Sequence, residues 1–125
     1  RTPTDCSPVP SRSTTAETLY RAQLTNITQR LGALNTTLLY ITTTPFMPDA
    51  SIGNLVVDDL NAIAREVAGP VVSEVVDLHK TVTDHCGLNY TDCDWCRRHP
   101  CSYHYNPEGE TAQARVIADA IRRLL

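Results

Sequence analysis

The residues best suited to chemistry crowd into one stretch of the chain. Cys86, Cys93, Cys96 and Cys101 are interleaved with His85 and His99 and followed by His104. Sulfur and imidazole at this density allow three kinds of chemistry. Cys93-x2-Cys96, with Cys101 and His104, could present four tetrahedral ligands to zinc. Cys93-x2-Cys96 alone could be a redox couple, but such motifs work at a helix N-terminus beside a strand, and no strand is visible in the sequence. The third option is disulfides, which an oxidising compartment favours over either alternative. We therefore expect disulfides, with no metal and no cofactor.

A fifth cysteine, Cys6, lies far upstream. Its surroundings, RTPTDCSPVPSRS over residues 1–13, are rich in Pro, Ser and Thr and read as an extended arm. A cysteine in such an arm is expected to staple it to the body through a partner in 86–101, with a second bond inside that loop. Five cysteines allow fifteen ways to make two bonds with one thiol left over. The leftover thiol is either buried and inert or bonded to another chain. A bond from Cys6 into the loop would contribute about 4 kcal/mol in the chain-entropy picture.

Catalysis has no comparable footing. Asp92, Asp94 and Glu108 stand near His99 in sequence, but no spacing pairs a nucleophile with a base and an orienting acid, so we expect no enzyme. The aromatic and basic residues point to binding instead. Trp95 and Tyr103 concentrate in the cysteine-rich stretch, Phe46 follows the first helix, and Arg122 and Arg123 close the chain. Trp, Tyr and Arg are the residue types that most often anchor interfaces, so these five are the candidate receptor contacts. Arg97-Arg98 and Arg122-Arg123 are further candidates for an acidic partner.

The chain has 125 residues and a formal charge of −3, which suits one modest domain over 1–125 and argues against a nucleic-acid coat. Asn26, Asn35 and Asn89 each open a glycosylation sequon, and with clustered cysteines these indicate a secreted or extracellular chain. No apolar run is long enough to span a membrane. The uncapped end at Leu124-Leu125 suggests that the natural chain continues.

The elements that must carry these residues read as helices. Thr14-Thr15-Ala16-Glu17 has the form of a capping box. Tyr20, Leu24, Ile27, Leu31, Leu34, Leu38 and Ile41 then alternate by four and three, which predicts one long helix to about residue 44, ~43 Å in length. Asn26 and Asn35 fall off that stripe. After a Pro-marked connection, Asn54 is the expected N-cap of a second helix, and a stripe from Val57 to Val82 keeps phase across Gly69-Pro70. That phase favours a single kinked rod over two helices divided by a reversal. Residues 86–106 form the cysteine-rich connection. Asn106-Pro107-Glu108 starts a last helix whose stripe is Ala114, Ile117, Ile121 and Leu124. The expected fold is all-α: a small up-and-down bundle of three long or four helices, with a disulfide-linked N-terminal arm and inter-helix loop.

Leu38-Leu39-Tyr40 followed by Thr44-Pro45-Phe46-Met47-Pro48-Asp49 resembles the end of the first helix in the long-chain helical cytokines of the leukaemia inhibitory factor and ciliary neurotrophic factor group. The similarity covers about residues 14–85. It implies a secreted ligand that binds cell-surface receptors through helix faces, with an N-terminal cysteine tied to a later inter-helix region. The group's Phe-x-x-Lys at the start of the last helix is absent; this chain has Asn106-Pro107-Glu108-Gly109-Glu110. The alternative is a helical ectodomain subunit of a viral or cellular surface glycoprotein, disulfide-linked to a partner chain.

Overall fold

The computed structural model describes residues 14–45, 51–88 and 92–125. Four helices dominate: α1 (Thr14–Gly32), α2 (Ser51–Ala68), α3 (Leu78–Cys86) and α4 (Pro107–Leu124). Two short strands, β1 (Leu39–Ile41) and β2 (Glu74–Val76), pair in parallel with Tyr40 opposite Val75. The fold is therefore mostly helical but not all-α. Parallel strands need a crossover, and α2 supplies it, so β1–α2–β2 is a compact βαβ unit.

Each strand replaces helix that the apolar spacing predicts. The first helix stops at Gly32, where a Cβ would stand 2.9 Å from Val71 Cγ1. The run Thr36-Thr37-Leu38-Leu39-Tyr40-Ile41-Thr42 that follows is dominated by β-branched and aromatic residues, which favour the extended backbone. The kinked rod across Pro70 is likewise absent. Gly69 donates to Arg65 O at the end of α2, Pro70 has no N–H with which to continue the ladder, and Val71-Val72-Ser73 leads into β2. Helix α2 begins at Ser51, so Asn54 lies inside it and is not its cap.

The buried faces also differ from the predicted stripes. On α1 the buried residue is Thr28, whose hydroxyl donates to Leu24 O at 2.8 Å, with Tyr20 and Leu24 half-buried beside it. Spaced by four, these three turn toward α2, and the Arg21–Glu66 ion pair at 3.0 Å ties the helices at their surface. Ile27, Leu31 and Leu34 are left 51%, 41% and 58% exposed. On α4 the buried residues are Gly109, Gln113 and Ala120, while Ile121 is largely exposed. Small residues at Ala64, Ala68 and Ala120 let backbones approach closely, and Val57, Ile63, Val76, Leu78 and Val82 fill the rest of the core.

A polar junction fixes the βαβ unit to α3. Buried Asn61 of α2 clamps Thr43: its Oδ1 accepts the Thr43 N–H and its Nδ2 donates to the Thr43 carbonyl, both at 2.9 Å. The buried Thr42 hydroxyl donates to Asp77 Oδ1 at 3.2 Å and accepts the His79 N–H at 3.0 Å. Asp77 caps α3 through the Lys80 N–H and meets Arg65 Nη2 at 2.7 Å. Burial alone would raise the Asp77 carboxyl, but the Lys80 N–H, the Arg65 charge and the Thr42 hydroxyl outweigh it and hold it below the usual range. On β1, burial and the neighbouring Tyr20 hydroxyl push the Tyr40 phenol far above its ordinary value, so it stays neutral.

Candidate binding site

The cysteine-rich stretch folds as a knot on the start of α4. Cys86 is bonded to Cys93 and Cys96 to Cys101. Both disulfides thus lie inside the stretch, and the expected bond from Cys6 has no loop cysteine left to receive it. Cys6 and the arm lie outside the described residues, as do Phe46 and the Asn89 sequon. The same pairing removes two other readings. Cys93, Cys96 and Cys101 have no thiolate to offer zinc alongside His104, and Cys93 and Cys96 belong to different disulfides, so they are not a redox couple.

Trp95 is the centre of the knot. It is only 8% exposed and packs with Val82, Cys93, Cys96 and Cys101. A Cβ at Gly109 would stand 2.9 Å from Trp95 Cβ and 3.0 Å from its carbonyl oxygen, so only glycine lets α4 come this close. Asn106 joins the two parts. Its Oδ1 accepts the Gly109 N–H at 2.9 Å as the N-cap of α4, its Nδ2 donates to Asp94 O at 2.6 Å, and its own N–H donates to Trp95 O at 2.9 Å. The His85 ring stacks on Trp95 with centroids 3.8 Å apart, and its Nε2 meets Asp94 Oδ1 at 2.5 Å. This His–Asp pair has catalytic form, but the sulfur beside it, Cys93, is bonded to Cys86 and is no nucleophile. Its visible work is to brace the knot.

The predicted contact residues do not converge. Trp95 is interior. Tyr103 is 53% exposed, just before α4 begins. Arg122 and Arg123 lie at the opposite end of α4, ~27 Å away along the helix, where they pair with Asp119 and with Glu74 of β2. Asn26 and Asn35 are both exposed, as their sequons require.

What sequence reasoning missed is the apolar end of α1. Ile27, Arg30, Leu31 and Leu34 line an open groove of about 400 Å³. The signal was present in the sequence: Tyr20, Leu24 and Thr28 form a competing i, i+4, i+8 face, and choosing it leaves Ile27, Leu31 and Leu34 outside. A second cleft of about 320 Å³ between α1 and α2 is polar, lined by Glu17, Arg21, Asp59 and Glu66 among others. No helix of the described residues is long and apolar enough to cross a membrane. No family profile matches the chain, and none of the curated proteins or solved structures is significantly similar to it.

Proposed function

We propose that the chain is a secreted, cytokine-like ligand that binds cell-surface receptors through helix faces and carries out no catalysis. The observation behind this reading is the groove at the C-terminal end of α1. Three large apolar side chains, each more than 40% exposed, surround it with one cationic neighbour, Arg30. Contiguous exposed apolar surface rimmed by polar groups marks interaction sites, and an apolar centre with an arginine is the usual anatomy of an interface anchor. The sequons at Asn26 and Asn35 border the groove and would limit the directions from which a receptor approaches. The resemblance to long-chain helical cytokines supplies the receptor class to try first, although α1 spans 19 residues and is shorter than the bundle helix that resemblance implies. Nanomolar binding of the purified chain to one of a panel of cytokine-receptor ectodomains supports the proposal; no binding across the panel removes it.

One observation favours a second reading, a surface-glycoprotein subunit joined to a partner chain. The four loop cysteines are consumed in two bonds among themselves, and five are present, so Cys6 is left over. Non-reducing electrophoresis of chain from a secreting cell separates the two: a free monomer favours the ligand, a covalent complex the subunit.

A further inference from the structure

The eight arginines among the described residues fall into two groups: four meet a carboxylate there, and Arg30, Arg97, Arg98 and Arg115 do not, of which only Arg97 and Arg98 are chain neighbours. Arg21, Arg65, Arg122 and Arg123 each meet a carboxylate: Glu66, Asp77, Asp119 and Glu74. Arg97 and Arg98 do not, although both are exposed and two carboxylates stand on the same knot. Those carboxylates are already engaged, Asp94 by His85 and Asp92 by His99 Nδ1 at 2.6 Å. The two adjacent guanidinium groups therefore have no carboxylate partner among the described residues.

The backbone that carries them is tied into the knot at Arg97 and at the two cysteines that close the ring. Arg97 and Arg98 sit in the ring closed by the Cys96–Cys101 disulfide. The Arg97 N–H donates to His104 O at 3.1 Å, and Cys96 bridges Tyr105 in antiparallel fashion. The base of the ring is buried against Trp95 and Val82. A stapled, buried-based ring that presents two unpaired guanidinium groups loses little conformational entropy on binding.

We propose that the Cys96–Cys101 ring is a second contact surface, and that its partner is an acidic protein segment of which two carboxylates take one guanidinium each, from Arg97 and Arg98. Arginine meets carboxylate in a planar, two-bond geometry that lysine does not reproduce. The exposed Tyr103 beside the ring suits a protein partner, in which tyrosine and arginine anchor together. An extended polyanion suits it poorly. Glu108 and Glu110 adjoin the knot in the first turn of α4, and the chain as a whole carries −3. A long sulfated polysaccharide or a nucleic acid crossing the ring would meet that negative charge, whereas a short acidic segment need only reach the two arginines.

This surface rests on the reading of the chain as a binding protein but is independent of the α1 groove, and its test needs no receptor. The full-length oxidised chain is titrated calorimetrically, at low and at physiological salt, with a short alternating Glu–Tyr peptide and separately with a heparin oligosaccharide. The peptide is expected to bind, and Arg97→Gln with Arg98→Gln to weaken it about tenfold or more. Arg122→Gln with Arg123→Gln, whose arginines are already paired, is expected to change it by less than about twofold. Cys96→Ala with Cys101→Ala keeps both charges and is expected to lose affinity through loss of the ring. Equal peptide binding by the Arg97/Arg98 variant overturns the proposal, as does heparin binding without peptide binding. Unchanged affinity in the opened ring overturns the part assigned to the disulfide. Failure of the receptor panel with peptide binding intact refutes only the α1 groove.

Discussion

In the body of the molecule the backbone is fixed by a side-chain amide: Asn61 holds both polar groups of Thr43, and Thr42 and Asp77 extend that junction to α3. In the knot it is fixed by covalent bonds and one ring: two disulfides surround Trp95, and Asn106 hands the assembly to α4. The body's helices and strands satisfy most of its backbone, and Asn61 takes the Thr43 groups they leave over. The knot has almost none, so cross-links and a buried aromatic must substitute for it. The difference also sets what each region can expose. The body turns the apolar end of α1 outward, and the knot, whose ring cannot collapse, can display charge.

The largest expected effect tests the knot. Trp95→Ala should destabilise the chain by about 3–5 kcal/mol, as loss of a buried indole does, with the damage greatest in α3 and the start of α4 by hydrogen exchange. An equal loss of protection throughout α1 would show that the two regions are not separate. Next is the body. Asn61→Ala leaves the Thr43 N–H and C=O without their partner and should cost about 2 kcal/mol or more. Its exchange signature should sit in β1 and β2 and leave the knot's two disulfides formed; scrambled disulfides in this variant would break the contrast.

A smaller effect is read against pH. The Asp77 carboxyl is held below its ordinary value when folded. Its contribution is therefore complete above the unfolded value of about 3.9 and is lost as the pH falls through the folded one. Asp77→Asn keeps a good helix cap and removes the charge, so its stability should fall less steeply on acidification than that of the wild type. Parallel acid profiles would show that the Asp77 carboxylate, with its Lys80, Arg65 and Thr42 contacts, contributes nothing as a charge. Smallest of all is Leu31→Asp. On an exposed face it should move stability by no more than about 0.5 kcal/mol, while abolishing any receptor binding that uses the α1 groove. A large stability loss would mean that Leu31 is core.

Much of this was legible in the sequence. The Asn106-Pro107 start of α4 is where it was expected, because a cap and an N1 proline act locally. The disulfide-rich character of 86–106 was legible for the same reason. The strands were not, because heptad spacing alone cannot distinguish a helix from a short extended run whose apolar residues happen to continue its count, as Leu38 and Ile41 do. The buried faces of α1 and α4 were hidden because Thr28, Gly109 and Gln113 are chosen for close approach and hydrogen bonding, not for hydrophobicity. Trp95 was read as a surface anchor because the sequence does not show Gly109 opposite it. Disulfide pairing depends on distance in space, and no spacing reveals it.

That pairing is also the point on which the contrast of body and knot rests. Mass-spectrometric mapping of a non-reduced digest should yield Cys86 linked to Cys93 and Cys96 linked to Cys101, with Cys6 in neither bond. A peptide joining Cys6 to any cysteine of 86–101 would contradict a knot that closes on itself and would return Cys6 to the role of a staple within the chain.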